Sequence, residues 1–399
     1  MPRFEPFRAL RYRESSSAHL EAVTAPPYDV LSESDRAELA GRHVNNIVRV
    51  DVPVEADGPG RYEQAAAILS SWVASGVLAL DDTPSFTIYR MEFTDALGRR
   101  RRTSGVIGAL EVVDEGAGGV LPHERTTPKA KTDRLDLTRA TLANLSPVWG
   151  LSLTSGLTEL LGEPGEPVGS IEVDDVVHTF ERVSDAERVA AIASAVGSND
   201  VVIADGHHRY AISRTFRDEQ RSTDTGTRGA AELTMTYIGE LIEDQLSVDA
   251  IHRLYTGIST EKLTSVLSAY FGIEEAGVIS SSITNDMRAR GSLVLVRGDG
   301  SGLFLTPRDS EFSGVRDLDG ARLEHALRGV DHEVTYQHGV ENITEIVKSG
   351  GAEAGVLIRP VTVAEIRRTA DEGLLMPPKS TFFTPKLRTG PVIRPLDVR

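Results

Sequence analysis

The stretch Val201-Val202-Ile203-Ala204-Asp205-Gly206-His207-His208-Arg209-Tyr210 constrains this chain more than any other part of it. Four apolar residues, three of them β-branched, make a run of the length of a buried strand, and the Asp-Gly pair ends it in a turn. From His207 to Gln220 there is neither Pro nor Gly, and Tyr210, Ile212 and Phe216 leave an apolar stripe amid charge. A strand over 201–204 and a helix starting within two residues of His207 are therefore expected. The first turn of such a helix carries unsatisfied N–H groups at the positive end of the macrodipole, and two imidazoles and a guanidinium sit in that same turn. Phosphate is the simplest ligand for it. A plain surface helix with Asp205 as N-cap is the alternative. Three cationic or titratable donors in a row at the carboxyl end of a buried strand favour function.

The chain has 399 residues, enough for two domains, and a change of composition near residue 258 divides it into an N-terminal α/β domain, 1–257, and a C-terminal α/β module, 258–399. Strand-like and helix-like segments alternate with hairpins, so an α/β fold with mixed, α+β-type sheets is expected. There is no Cys, which removes disulfides, thiolate nucleophiles, iron–sulfur clusters and thiolate zinc sites together. A formal charge of −16 disfavours nucleic acid as a partner. The basic run Arg99 to Arg102 follows Asp95-Ala96-Leu97-Gly98 between two strand-like segments and reads as a solvated hairpin. No run approaches the roughly 18 apolar residues of a membrane span, and the amino terminus lacks the apolar core of a signal peptide. A cytoplasmic protein without a membrane partner is expected.

Three further stretches are unusual. In Thr24-Ala25-Pro26-Pro27-Tyr28-Asp29-Val30-Leu31-Ser32 two prolines stiffen the backbone that presents Tyr28 and Asp29, and Ser32 with Asp35 is placed to cap a helix. Asn46 to Val50 reads as a strand. Leu121-Pro122-His123-Glu124-Arg125-Thr126-Thr127-Pro128-Lys129-Ala130-Lys131 has neither period and is too polar for a core, so it is expected to be a site loop. The Pro26–Asp29 and His123–Lys131 loops are expected to meet the Asp205–Arg209 turn in one cleft. The tail Pro377-Pro378-Lys379-Ser380-Thr381-Phe382-Phe383-Thr384-Pro385-Lys386-Leu387 combines prolines, two lysines and paired aromatics and could return to the site or dock elsewhere on the body. The phosphate-loop, dinucleotide and nucleophile-elbow glycine motifs are absent from the sequence.

Ala25-Pro26-Pro27-Tyr28-Asp29-Val30, Leu121-Pro122-His123-Glu124-Arg125-Thr126, Ala204 to Tyr210 and Met376 to Leu387 together resemble the bacterial and archaeal family known as domain of unknown function 1015, over nearly the whole chain. Over some ten residues the strand, Asp-Gly-His-His-Arg, helix pattern is similar to the phosphate-binding box of the ParB/sulfiredoxin fold, which includes free serine kinases. That resemblance implies a ParB/sulfiredoxin-like nucleotide-binding core with insertions. It implies that Gly206, His207, His208 and Arg209 hold nucleotide phosphates, and that Asp205 orients them or meets Mg²⁺. ATP or ADP and Mg²⁺ are the cofactors implied, with a small hydroxylated metabolite, free L-serine among the candidates, as acceptor. Sulfiredoxin activity is ruled out by the lack of Cys. Phosphoryl transfer suits the inventory, since it needs positioned cations more than covalent chemistry. Glu124, with Asp29 as the second candidate, is expected to take the acceptor's proton, beside Asp205 and His207. Tyr28, Asp29, His123, Arg125 and Lys129 are the expected acceptor contacts. A metal-assisted phosphatase using His123, His207, His208 and Asp205 as ligands, and a non-catalytic nucleotide-binding regulator, are the competing readings.

Overall fold

The computed structural model describes residues 1–55, 60–95, 98–124, 131–222 and 228–397. It is a mixed α/β fold, as expected, and divides into two compact units, residues 1–247 with 385–399, and residues 248–384. No helix among the described residues is long and apolar enough to cross a membrane.

The first unit is built on a sheet with nine strands among the described residues. In spatial order they are Val120–Pro122, Val201–Asp205, Val148–Ser152, Leu233–Glu240, Arg100–Glu111, Phe86–Thr94, Val176–Val183 and Glu166–Val173, with Phe4–Glu5 also paired to Arg100–Glu111. Val201–Asp205 runs parallel to Val120–Pro122 and antiparallel to Val148–Ser152, which in turn is parallel to Leu233–Glu240. Two strands therefore end, and two begin, at one side of the sheet. The polar residues just beyond them, His123, Pro147 and Asp205 to Arg209, are brought together by topology alone. On one face Val201 and Ile203 pack with Phe86, Ile88 and the helix residues Ile192 and Val196. Beyond the turn, Ile212 and Phe216 pack with Leu135 and Leu396.

Close packing of this sheet depends on glycine. A Cβ on Gly105 would sit 2.3 Å from the Tyr237 ring and 2.7 Å from the Ile238 carbonyl oxygen, where nothing can yield without a backbone shift. The two strand-like segments expected to flank Asp95 to Arg102 form as the antiparallel pair Phe86–Thr94 and Arg100–Glu111, and the Asp95 carboxylate at its end holds Arg99 at 2.8 Å and Arg101 at 2.9 Å.

The second unit has six strands among the described residues in one sheet, in the order Phe271–Val278, Ser301–Pro307, Leu293–Val296, Ala354–Leu357, Ile251–Thr256 and Glu333–His338. Leu293 and Leu295 face one apolar layer while Val294 and Val296 face the other, the period-2 arrangement of a strand covered on both sides.

One segment differs from its sequence reading. Asn46 to Val50, expected as a strand, contains a short helix over Val48–Asp51. The Asn46 side chain accepts from the Val48 amide at 2.9 Å and donates to the Ala22 carbonyl at 2.7 Å, so it starts a turn and pins it to the helix Ser17–Val23. This local hydrogen bonding overrides the β propensity of the valines, and it buries Asp51.

Gly105→Ala is expected to destabilise the first unit by about 1–3 kcal/mol, the usual cost of overpacking. Trp72 and Trp149 both belong to that unit, so urea unfolding followed by tryptophan fluorescence reads it out; an unchanged midpoint would contradict the packing described.

Candidate functional site

The strand Val201–Asp205 passes through Gly206 directly into the helix His207–Ser222. Gly206 has φ +82°, a left-handed conformation that lets the chain reverse within one residue. Its carbonyl accepts the first helical bond, from the Tyr210 amide at 3.0 Å. Tyr210 anchors the turn to the sheet, donating through its hydroxyl to the Glu111 carbonyl and accepting from the Val113 amide, each at 2.9 Å. Ser213 and Thr234 share a hydroxyl bond of 2.8 Å one turn further on. The helix start is thus fixed against the strands Arg100–Glu111 and Leu233–Glu240.

Asp205 sits between two cations: Lys386 Nζ lies 3.3 Å from one carboxylate oxygen and the Arg209 guanidinium 3.4 Å from the other. Burial alone would raise its pKa, but Lys386 and then Arg209, with His207, more than offset it and hold the carboxyl well below the usual range. Asp205 is therefore a carboxylate at any physiological pH. Arg209 also donates to the Pro147 carbonyl and to Asp29 Oδ2, the latter at 3.3 Å. Burial would lower its pKa, and Asp29 and Asp205 reverse that.

Lys386 arrives from the tail. Ala25 and Thr389 exchange two backbone hydrogen bonds, of 3.1 and 2.8 Å, the Arg388 amide donates to the Tyr89 hydroxyl at 3.0 Å, and the Arg388 guanidinium donates to the Thr24 carbonyl at 3.1 Å. The residues immediately before the proline pair are thereby zipped to those immediately after Lys386. One seam delivers both Asp29 and Lys386 to the turn. Tyr28 packs between two guanidiniums, with Arg134 at 4.3 Å and Arg209 at 5.7 Å from its ring centre. Arg134 in turn contacts Asp51 and the Asp133 carboxylate, which also accepts from the Tyr62 hydroxyl at 2.8 Å.

His123 and Glu124 follow the strand Val120–Pro122. The His123 ring is fully buried, its Nδ1 bonds the Ile203 carbonyl, and it lies 4.9 Å from the His207 ring. Burial pushes its pKa down to about 4, so it is neutral near pH 7. Glu124 is half-buried beside it. Tyr28, Asp29, Asp205, Gly206, His207, Arg209 and His123 are linked by these contacts. His208 lies in the same first turn, whereas Arg125 and Lys129 fall outside the described residues. Among the described residues no three His, Asp or Glu side chains are grouped to hold a metal ion. Sequence reading did not single out Asp51, Arg134 or the Pro147 carbonyl. Asp51 was hidden by the strand reading of its segment, and Arg134 stood as one helical residue among others, with only its place after the polar loop as a signal.

The site lies at a strand-to-helix turn of a mixed α/β protein, and the chain is a member of a recognised family. The model described as Protein of unknown function (DUF1015) matches residues 4–321, and the chain belongs to that family. No curated protein matches it. Among solved structures it is similar to a free serine kinase variant in complex with AMP, at 13% identity and TM-score 0.40, covering 70% of this chain and 89% of that one. It is also similar to a C-terminally truncated SbnI from Staphylococcus aureus, at 13% identity and TM-score 0.41 with 73% and 87% covered. A conserved hypothetical protein from Pyrococcus furiosus is similar at 13% identity and TM-score 0.38, with 70% and 94% covered. All three similarities are remote.

The buried imidazoles give a pH prediction. His123 and His178 are lowered by burial, to about 4 and about 3, so both are neutral in the folded first unit and take up protons on unfolding once the pH falls below about 6.5. Their stabilising contribution is complete above pH 6.5 and declines as pH drops toward 4, by about 1.4 kcal/mol per pH unit for each. Urea titrations between pH 7 and 5 should show this slope, reduced by about one proton in His178→Gln. A stability flat across that range would contradict it.

Proposed function

We propose that this protein is a small-molecule kinase, transferring a phosphoryl group from a nucleotide to the hydroxyl of a small metabolite. The observation that carries the reading is the turn itself: a 16-residue helix begins at a left-handed glycine, and its first turn holds His207, His208 and Arg209 beside an ionised Asp205. Free N–H groups and cationic side chains at such an end are what a phosphate chain needs. In this reading Gly206 lets the phosphates approach the backbone, His207 and His208 donate to their oxygens, and Arg209 fixes the turn. Lys386, held 3.3 Å from Asp205, is placed to neutralise charge that develops on the transferred group. His123, buried and neutral behind His207, fixes that ring rather than meeting solvent.

Asp205, 24% exposed and paired with Lys386 on one oxygen and Arg209 on the other, would hold Mg²⁺ by exchanging one of those cations for the metal, which commonly takes one or two protein carboxylates and completes its shell with water and phosphate oxygens; bound there it would neutralise phosphate charge and orient the terminal group. Glu124 is the proposed base: it accepts the proton of the acceptor hydroxyl as that oxygen bonds to phosphorus and the bond from phosphorus to the nucleotide's bridging oxygen breaks. Asp29, whose carboxylate pairs with Arg209, is the second choice. Free L-serine remains a candidate acceptor. Acidity of the chain as a whole supports a small-molecule partner over nucleic acid.

Two variants separate binding from chemistry. Arg209→Lys cannot reproduce the fork that joins Pro147, Asp29 and Asp205, and should weaken nucleotide binding by about 1.5–3 kcal/mol in isothermal titration. Glu124→Gln should bind nucleotide normally while turnover of nucleotide with acceptor falls by about a hundredfold or more. Normal binding by the first variant would remove the turn as the phosphate site, and full turnover by the second would pass the base to Asp29.

A further inference from the structure

Beside the turn, in the first unit, lies a cavity of about 50 Å³ whose lining includes Tyr28, Asp51, Arg134, Ala143, Arg209 and Ser213. Two of these side chains carry buried polar atoms with no hydrogen-bond partner among the described residues, Asp51 Oδ2 and Arg209 Nε. Asp51 is 3% exposed, and the other oxygen of its carboxylate lies 3.4 Å from Arg134. Orphaned buried groups of this kind destabilise the fold unless something enters to satisfy them. One of them is an acceptor and the other a donor. A hydroxyl group both donates and accepts at a single atom; an ammonium cannot accept, and a carboxylate cannot donate. Charge gives the same answer, since both guanidiniums in the lining are already paired, Arg134 with Asp51 and Asp133 and Arg209 with Asp29 and Asp205. Size narrows it further: one water needs about 10–15 Å³ on this measure, so the cavity takes a few heavy atoms, the end of a molecule rather than the whole.

We infer that this cavity is the acceptor subsite and that it admits a hydroxymethyl group, Asp51 accepting from its hydroxyl and Arg209 Nε donating to it; the substrate class is the small primary alcohols, and in this position Asp51 takes the place of Glu124 as the group facing the proton lost on transfer. This rests on the proposed phosphoryl transfer, because Arg209 belongs to both the cavity and the phosphate turn. The short helix that Asn46 starts has a use in this scheme: it buries one carboxylate where the substrate's hydroxyl would lie.

The test is binding by saturation-transfer NMR and isothermal titration, with glycerol, glycerate and L-serine as hydroxymethyl probes and L-alanine as the counterpart of L-serine lacking the hydroxyl. At least one probe should bind and L-alanine should not. Asp51→Asn should weaken that probe at least tenfold. Ala143→Val, which fills the cavity without touching a charge, should do the same and keeps the test intact if the Asp51 variant fails to fold. Binding of none of the probes, leaving the cavity to water only, or binding within twofold of wild type in both variants, overturns the inference. Titration of ATP and ADP with Mg²⁺ into the same protein separates the two readings. Nucleotide binding without alcohol binding sinks the subsite alone, while alcohol binding that both variants abolish, in a protein that binds no nucleotide, supports the subsite and removes the phosphoryl donor.

Discussion

Asp205 is the carboxylate on which the site depends. It ends a buried strand, precedes the left-handed Gly206, and holds Lys386 on one oxygen and Arg209 on the other. Partly buried ion pairs of this kind contribute less to stability than their short distances suggest, since desolvation of both partners offsets most of the Coulomb gain. Their effect is on geometry. With Asp205 ionised, the tail must return to place Lys386, and Arg209 must fold back over the turn, where it also captures Asp29 and the Pro147 carbonyl. Segments from the two ends of the sequence, Asp29 and Lys386, thereby close on the first turn of one helix.

The seam between Thr24–Ala25 and Arg388–Thr389 makes this possible at low entropic cost to the site. Two prolines follow Ala25, so once the backbone pairs with the tail, Tyr28 and Asp29 have little freedom left to lose. Tyr28 then offers its ring to both Arg134 and Arg209, a contact that favours each cation. A site assembled from preordered pieces spends less of its binding energy on organising itself.

Much of this was legible in the sequence, and the reasons are local. The run Val201 to Ala204 stopped by Asp-Gly could only be a strand meeting a turn, and the long stretch without Gly or Pro after it could only be a helix. The capping box at Ser32 and Asp35 forms as its spacing implied. The mixed α/β class followed from hairpins alternating with helices. What escaped was non-local or overridden. Asp51 lies in a segment whose valines spell a strand, and a single Asn46 side chain turned it into a helix by bonding its own backbone. Arg134 and Pro147 matter because of which strands lie side by side, and strand order is not written in local periodicity. The tail could be read as rigid and cationic, but the partner of Lys386 depends on a pairing 364 residues long, from Thr24 to Arg388.

The most direct measurement is a crystal structure of the protein grown with Mg²⁺ and a non-hydrolysable ATP analogue. The account predicts the terminal phosphates within hydrogen-bonding reach of the backbone N–H groups of His207 to Arg209, with Asp205 beside the metal and Lys386 turned toward the transferred group. A nucleotide bound elsewhere on the chain, with Lys386 and Arg209 still closed on Asp205 and no phosphate at the turn, would contradict it.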